Sequence, residues 1–283
     1  MLVSTKKLLN DARQGHYAVP AFNTSDLEMT MGIMRACEKL GSPVILATSE
    51  RQIRFSNERE IYAILRTFAK EAKVPVAIHL DHGGSFEQAK KCIDIGYTSI
   101  HIDGSSLPYE ENIEITKKVV AYAKKKNVSV EGELGHIITP KSKGDKTDRT
   151  LYFTDPEKAV EFVKKTGIDS LAISVGTAHG AYKGETNIDF DRLREIGKSV
   201  DVPLVLHGGS MVPKHDIQKA IQLGISKINI NTELRLSFTK YLRYYLVKNK
   251  RAYVPEEIMK GAIEAVAKDC EDKIEQFGSS KKG

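Results

Sequence analysis

Eight short apolar segments, separated by amphipathic stretches, constrain the fold of this chain more than any other feature. Between these segments, stretches such as EREIYAILRTFAKEA and EENIEITKKVVAYAKKK place apolar residues three or four positions apart, which is the helical period. Strands that alternate with helices predict a parallel sheet built from βαβ units. The apolar segments begin near Ala18, Val44, Val76, Ser99, Val128, Ser170, Leu204 and Lys227.

Eight strand–helix units in a chain of 283 residues predict the α/β class and a (β/α)8 TIM barrel with additional C-terminal helices. A doubly wound open sheet is the alternative architecture. Two helical stretches follow the eighth strand, at Glu233–Lys250 and Glu256–Phe277, and would cap the barrel or mediate a subunit contact. We therefore expect residues 1–283 to form a single TIM-barrel domain, with residues 233–283 as its helical extension.

Composition narrows the class of protein. Hydrophobic residues make up 41% and charged residues 28% of the chain, which is typical of an ordinary globular protein. The sequence has no apolar run of about 18 residues, so we expect no membrane span. The segment MLVSTKKLLNDARQGH lacks the apolar core of a signal peptide, and only three cysteines occur, which together predict a cytoplasmic protein. The net charge of +6 suits a small anionic substrate, and we expect no nucleic-acid partner.

Ionisable or amide side chains stand at the ends of six consecutive predicted strands. One buried histidine is usually a structural residue, but six such strand ends are hard to explain by packing because buried ionisable groups need partners. Catalytic groups of TIM barrels come from the carboxyl ends of the strands, so the pattern predicts an active site there. The segments are His79–Gly83, His101–Gly104, Glu131–Glu133, Gly176–Gly180, Leu206–Ser210 and Asn229–Thr232.

Three histidines at these strand ends, His82, His179 and His207, are each followed directly by glycine. Three neutral imidazoles with an open fourth position form a catalytic site for a divalent metal ion. Asp81 precedes His82, and the chain turns at the end of a strand, so Asp81 could face the pocket as an acid–base group while His82 reaches the metal. In the alternative interpretation, Asp81 only orients a histidine.

The glycine-rich segments after the last strands predict a phosphate site. Gly208, Gly209 and Ser210 offer backbone N–H groups and a hydroxyl, and barrel phosphate sites often follow strands seven and eight. The next segment opens a helix whose N-terminus favours anions. Two ordinary tight turns are the alternative, and Lys183 is a candidate phosphate-binding cation. The residues of the segment that opens the helix are Asn229, Ile230, Asn231 and Thr232.

Taken together, these motifs resemble the class II, metal-dependent ketose-bisphosphate aldolases. The resemblance covers nearly the whole chain and is carried by YAVPAFN, HLDHG, IDGS, GTAHGAYKGE, LVLHGGS, KININTE and EQFGSS. That family includes fructose-1,6-bisphosphate and tagatose-1,6-bisphosphate aldolases and an inositol-catabolic relative, and its members are commonly dimers or tetramers.

The resemblance implies a role for each matching position. It implies that His82, His179 and His207 bind a catalytic Zn²⁺ and that Asp81 donates and accepts the proton. Asp103 and Glu133 would bind a second divalent or monovalent cation, or the zinc in an alternative position. The dihydroxyacetone phosphate part of the substrate would contact Gly180, Lys183, Gly208, Gly209, Ser210, Asn229 and Thr232.

The sequence departs from the family pattern after its ELG segment. Relatives carry an acidic G-G-x-E-D loop there, whereas residues 136–145 read HIITPKSKGD, so either Asp145 substitutes for the loop carboxylate or that role is lost. His101 stands where an apolar residue is common, and we favour a buried histidine with a local partner over a pocket contact. Ser49 and Arg51, after the second strand, are candidates for the second phosphate.

Our first hypothesis is a zinc-dependent aldolase that cleaves a ketose 1,6-bisphosphate, preferably fructose 1,6-bisphosphate, and acts as a homodimer or homotetramer. Tagatose 1,6-bisphosphate or a related phospho-sugar is the alternative substrate. A zinc hydrolase and a non-catalytic binding protein on the same barrel are further alternatives. A Schiff-base aldolase would need a lysine that points into the barrel. The core of the sixth predicted strand, LAISV, has no lysine, and we place Lys227 at the start of the eighth strand, which is the wrong end for catalysis.

Overall fold

Eight parallel strands close into a barrel in chain order, with the last strand beside the first. The structure is a computed structural model and describes residues 1–137, 149–178, 180 and 187–283. The closed order confirms the predicted (β/α)8 barrel and excludes an open doubly wound sheet. The strands are β1 (Val19–Asn23), β2 (Val44–Ser49), β3 (Val76–Gly83), β4 (Ser99–Ile102), β5 (Ser129–Leu134), β6 (Ser170–Ile173), β7 (Leu204–Leu206) and β8 (Ile225–Ile230).

Helices surround the barrel and continue after β8, as predicted. Their N-termini carry standard signals, such as Asp26, Ser85, Asp155 and Asp189, whose side chains each accept a hydrogen bond from a backbone N–H of the first turn. The helices are α1 (Thr5–Gly15), α2 (Leu27–Leu40), α3 (Glu50–Ser56), α4 (Glu58–Glu71), α5 (Phe86–Ile95), α6 (Tyr109–Lys124), α7 (Pro156–Thr166), α8 (Phe190–Ser199), α9 (Lys214–Gln222), α10 (Thr232–Lys248) and α11 (Pro255–Gln276), with a 3₁₀ turn at Arg149–Tyr152.

The C-terminal helices pack back onto the barrel. The close approach of α11 to α2 requires Gly32, because a Cβ atom there would lie 2.7 Å from the carbonyl oxygen of Ile263. The residue after α11 continues the attachment, since the carbonyl of Phe277 accepts a hydrogen bond from the N–H of Ala18 beside β1. The predicted extension therefore covers the outside of the barrel near its first strand.

The start of the last strand differs from the prediction. β8 begins at Ile225, two residues before the predicted start, because Ile225 pairs with Leu204 of β7 before the register shifts. Lys227 is therefore the third residue of β8, and its side chain is fully buried. The prediction that Lys227 starts its strand is therefore wrong, because Lys227 is a buried residue in the middle of β8.

Register places polar side chains at matching levels of neighbouring strands. His79 of β3 pairs with Ser99 of β4, and His101 of β4 pairs with Glu131 of β5. Because side chains alternate along a strand, Glu131 and Glu133 share one face of β5. These buried polar residues lie on successive levels that lead toward the carboxyl end of the barrel.

Two further expectations concern the chain as a whole. No helix in the described ranges has both the length and the apolar character that a membrane span requires. The three cysteines are free and buried, as expected for small packing residues. The interpretation of residues 1–283 as one domain stays a prediction.

Candidate active site

Most of the ionisable residues singled out in the sequence meet at the carboxyl end of the barrel. Asp81 and His82 end β3, Asp103 follows β4, Glu133 lies near the end of β5, and His207 follows β7 directly. These side chains and His101 form two overlapping groups. Within each group, the possible ligand atoms lie within 4.8 Å of one another. Tertiary structure thus brings together residues that are up to 126 positions apart in the sequence, from Asp81 to His207.

A strained turn lets two adjacent residues of β3 reach the same site. His82 has a positive φ of 52°, which is uncommon for a residue other than glycine, and the pairing of β3 with β4 shifts between Leu80 and Gly83. A regular strand would send neighbouring side chains to opposite faces. Here His82 Nε2 lies 3.9 Å from Asp81 Oδ1, so both side chains serve one site.

His82 and His207 have the arrangement of metal-binding histidines. Each ring uses one nitrogen on a carboxylate: His82 Nδ1 lies 2.8 Å from Asp103 Oδ2, and His207 Nε2 lies 2.9 Å from Glu131 Oε1. The other nitrogens, His82 Nε2 and His207 Nδ1, each lie 3.9 Å from Asp81 Oδ1. A carboxylate behind each imidazole fixes its tautomer and aims its second nitrogen, so this donor set fits Zn²⁺.

Asp81 is buried, and its neighbours hold its carboxylate in place. Its two oxygens accept hydrogen bonds from Asn23 Nδ2 at 2.8 Å and Asn229 Nδ2 at 3.0 Å. Burial opposes ionisation, but the positive charges of neighbouring groups, His82 and Lys227 among them, hold the pKa of Asp81 well below its usual range. Asp103 and Glu131 are the carboxylates within hydrogen-bond distance of the two rings, and both roles that we weighed for Asp81 stay predictions.

His101 lies under the site and is fully buried. Its Nδ1 accepts a hydrogen bond from the His82 backbone N–H at 3.2 Å, and its Nε2 lies 3.4 Å from Glu133 Oε2. Burial lowers the pKa of His101, but the neighbouring carboxylates, Asp81 and Glu133 foremost, raise it to about 10. Local partners therefore surround this histidine, as we favoured from the sequence.

A second group of ligand atoms overlaps the first. His82, His101, Asp103 and Glu133 each offer one atom, and the four atoms lie within 4.8 Å of one another. Within the described residues, neither His101 Nε2 nor Glu133 Oε2 has a hydrogen-bond partner with good geometry. Asp103 and Glu133 fit a second cation position beside His82, whereas His101 directs its Nε2–H group toward Glu133 because its Nδ1 already accepts the His82 N–H group.

A cavity of about 100 Å³ opens beside Asp81 and His207. Gly208 has φ 65°, and a Cβ atom there would lie 2.5 Å from the carbonyl oxygen of Ala178, so only glycine fits this turn. The helix α10 begins at the cavity wall and directs its N-terminus toward it. Six of the residues predicted to bind substrate line this cavity: Gly180, Gly208, Ser210, Asn229, Asn231 and Thr232.

Two predicted substrate residues do not line the cavity. Ile230 has its side chain in the hydrophobic core, because alternation along β8 turns it away from the side that Asn229 faces. Gly209 contacts β8 instead, where a Cβ atom would lie 2.4 Å from Ile228 Cγ2. Three other predicted residues, His179, Lys183 and Asp145, lie outside the described residues.

The candidates for the second phosphate site are Ser49, which lines the cavity, and two arginines, Arg51 and Arg235. Arg51 is exposed, and Arg235 is half-buried in the first turn of α10. Burial and the charge of Arg51 lower the pKa of Arg235, while Asp81 raises it, so Arg235 lies within electrostatic reach of both residues. Sequence reasoning missed Arg235 and Asn23; their position at a strand end or in the first turn of the following helix was the available signal.

Comparison with known proteins gives consistent results. The family described as "Fructose-bisphosphate aldolase class-II" matches residues 3–282. The fructose-bisphosphate aldolases of Staphylococcus aureus (strain Mu50) and Geobacillus stearothermophilus are each 44% identical to this chain over 284 aligned positions, covering 99% of this chain and 98% of theirs. The crystal structure of the YdjI aldolase from Escherichia coli K12 has a TM-score of 0.87 and 34% identity, covering 100% of this chain and 99% of that one. A putative fructose-1,6-bisphosphate aldolase from Coccidioides immitis has a TM-score of 0.85 and 29% identity, with coverages of 98% and 96%.

Proposed function

Because the chain belongs to the class-II fructose-bisphosphate aldolase family, we propose that it reversibly cleaves fructose 1,6-bisphosphate to dihydroxyacetone phosphate and glyceraldehyde 3-phosphate. One observation assigns the proposed chemistry to particular residues. The nitrogens His82 Nε2 and His207 Nδ1 both lie 3.9 Å from Asp81 Oδ1, in a cavity that is also lined by the turn after β7 and the N-terminus of α10. An aldol cleavage needs an electrophile, a base and a phosphate anchor in this mutual arrangement.

His82 and His207 would hold a Zn²⁺ ion, with His179 as the third ligand by sequence position. When bound, the metal supplies a Lewis acid that stabilises the negative charge developing on the ketose oxygens as the C3–C4 bond breaks. Asp103 and Glu131 would orient the two imidazoles by accepting their remaining N–H groups. Asp103 and Glu133 would hold a second divalent or monovalent cation beside His82.

Asp81 would move the proton at the C4 hydroxyl. In cleavage it takes this proton, and in condensation it returns the proton to the aldehyde oxygen. The amides of Asn23 and Asn229 hold the carboxylate in place but leave it ionised, because an amide N–H group donates a hydrogen bond without donating its proton.

The two phosphates would bind to two different sets of residues at the cavity. Backbone N–H groups of the turn at Gly208–Ser210 and the N-terminus of α10 at Asn231 and Thr232 suit the phosphate of the dihydroxyacetone phosphate part. Gly180, Asn229 and Lys183 complete this proposed site. Ser49, Arg51 and Arg235 would bind the second phosphate, since two neighbouring guanidinium groups need an anion to offset their repulsion.

Replacement of Arg235 by Gln tests the second phosphate site. We expect the KM for glyceraldehyde 3-phosphate in the condensation direction to rise roughly tenfold or more, as for loss of a charged hydrogen bond. The KM for dihydroxyacetone phosphate should stay unchanged. Arg243→Gln, an exposed position on the same helix, is the matched control. An equal rise of both KM values in Arg235→Gln would contradict a role at one phosphate.

The proposed activity itself is tested with purified protein. Triose phosphate release from fructose 1,6-bisphosphate should occur, stop on treatment with EDTA, and return on addition of Zn²⁺. Full activity after complete removal of metal would contradict the metal-dependent mechanism. Parallel rates with tagatose 1,6-bisphosphate determine which C4 epimer the site prefers, because the two substrates differ at that stereocentre alone.

We also place the enzyme in the cytoplasm as a homodimer or homotetramer. The free, buried cysteines fit a reducing compartment. Large apolar side chains on α10 and just after it are exposed and would suit a subunit contact. They are Leu236, Tyr244, Leu246, Val247 and Tyr253.

A further inference from the structure

We propose that Lys227 is a positioning residue for the metal site, acting through Glu131 on the ring of His207. The inference rests on the proposed function only in taking His207 as a metal ligand. It concerns a buried lysine that the aldol reaction described above does not use.

Lys227 is joined to His207 through a single carboxylate. Lys227 Nζ lies 2.6 Å from Glu131 Oε2, and the other oxygen, Glu131 Oε1, lies 2.9 Å from His207 Nε2. All three residues are at least 98% buried, with exposed fractions of 0%, 2% and 0%. The carboxylate therefore binds the ammonium with one oxygen and the imidazole with the other, within a water-excluded core.

This arrangement decides which nitrogen of His207 is available to a metal. A carboxylate held by an ammonium group only accepts hydrogen bonds, so His207 Nε2 must carry the hydrogen. His207 Nδ1 then carries the lone pair, on the side of the ring that faces Asp81. Without the ammonium, the buried carboxylate would lose the cation that balances it and fixes its rotation.

A second acceptor fixes the position of the ammonium. Lys227 Nζ also lies 3.1 Å from His79 Nε2, and His79 Nδ1 lies 2.8 Å from Ser99 Oγ, which lies 2.9 Å from Thr5 Oγ1 of α1. Donors and acceptors alternate along this chain if His79 is neutral with its hydrogen on Nδ1. The lysine is thus clamped between Glu131 and His79, in a network that runs from the first helix to the metal site.

The same contacts argue against a Schiff-base role for Lys227. Its side chain is fully buried, it is not among the residues that line the cavity beside Asp81, and its ammonium contacts two acceptors. An amine that attacks a substrate carbonyl must reach the substrate. Lys227 instead supports His207, the proposed metal ligand that lines the cavity.

The experiment uses Lys227→Met, which keeps the length of the side chain and removes the charge. The dissociation constant for Zn²⁺ is measured by chelator competition, and the visible spectrum of the Co²⁺-substituted protein reports the geometry of the site. We expect the metal to bind about 10- to 100-fold more weakly, as for loss of an outer partner of a metal ligand. The Co²⁺ spectrum should change as well.

Two further variants separate positioning from general stability. Thr166→Val removes a buried hydroxyl that donates to the carbonyl of Phe162, outside this network, so it should lower the melting temperature without altering the dissociation constant for Zn²⁺. Glu131→Gln keeps the side-chain shape and should weaken Zn²⁺ binding in the same way, and it replaces Lys227→Met if that variant does not fold. Unchanged affinity in the folded variant, or equal weakening in Thr166→Val, would overturn the inference.

The outcomes also distinguish this inference from the proposed function. A wild-type protein that binds Zn²⁺ but does not cleave fructose 1,6-bisphosphate would overturn the proposed function and leave the role of Lys227 standing. A wild-type protein that cleaves the substrate, together with a folded Lys227→Met that keeps its affinity for Zn²⁺, would overturn the role of Lys227 alone.

Discussion

Replacement of Asp81 by Asn should lower kcat for fructose 1,6-bisphosphate cleavage by roughly 10²- to 10⁴-fold, the usual contribution of a general acid–base group. Asparagine has nearly the same shape but cannot take the proton of the C4 hydroxyl. The nitrogens of His82 and His207 are oriented by Asp103 and Glu131, so the variant should still bind Zn²⁺. Steady-state kinetics and chelator competition on the same preparation measure both quantities.

Asp201→Asn, at an exposed position outside the site, is the control for Asp81→Asn and should keep the wild-type kcat. Loss of Zn²⁺ from Asp81→Asn in proportion to its loss of activity would show that Asp81 acts on the metal site and not on the proton. Retention of more than a tenth of the wild-type kcat would exclude Asp81 as the principal base.

Replacement of His207 by Ala should abolish both Zn²⁺ binding and aldol cleavage. Removal of the imidazole takes one nitrogen ligand from the site. The buried Glu131 also loses the N–H group from which its Oε1 accepts a hydrogen bond. Metal content after dialysis and triose phosphate release from fructose 1,6-bisphosphate are the two measurements. Activity should fall to the background of a metal-free preparation.

The matched control for His207→Ala is His215→Ala, because the side chain of His215 is 80% exposed. This variant should bind Zn²⁺ and cleave substrate as the wild type does. A His207→Ala protein that retains stoichiometric Zn²⁺ would remove His207 from the ligand set, and with it the proposed action of Lys227.

The strand pattern was readable from sequence because each strand is short, apolar and followed by an amphipathic helix. Seven predicted starts lie within one residue of the observed ones. The start of β8 was placed two residues late. The prediction began at Lys227, although the alternation of apolar and polar residues already begins at Ile225. A lysine inside a strand looks like a boundary until its buried partner is known.

The candidate site was predicted in part. The strand-end histidines and Asp81 stood out because ionisable residues are rare at the ends of apolar strands. Glu131 was visible in the sequence, but only Glu133 was assigned a role, although the two-residue period of β5 places both on one face. Nothing local marks Lys227, because its significance depends on neighbours from other strands.

The sequence by itself determined the order of strands and helices, the barrel, and the strand ends at which Asp81, His82 and His207 stand. These follow from local period and from residue type, which operate over a few neighbouring residues. Tertiary structure alone decided which nitrogen of each histidine faces the site, which carboxylate supports it, and that a buried lysine stands behind one of them. Such choices depend on contacts such as that between Lys227 and Glu131, 96 positions apart, whose strength arises from their shared burial and not from their spacing.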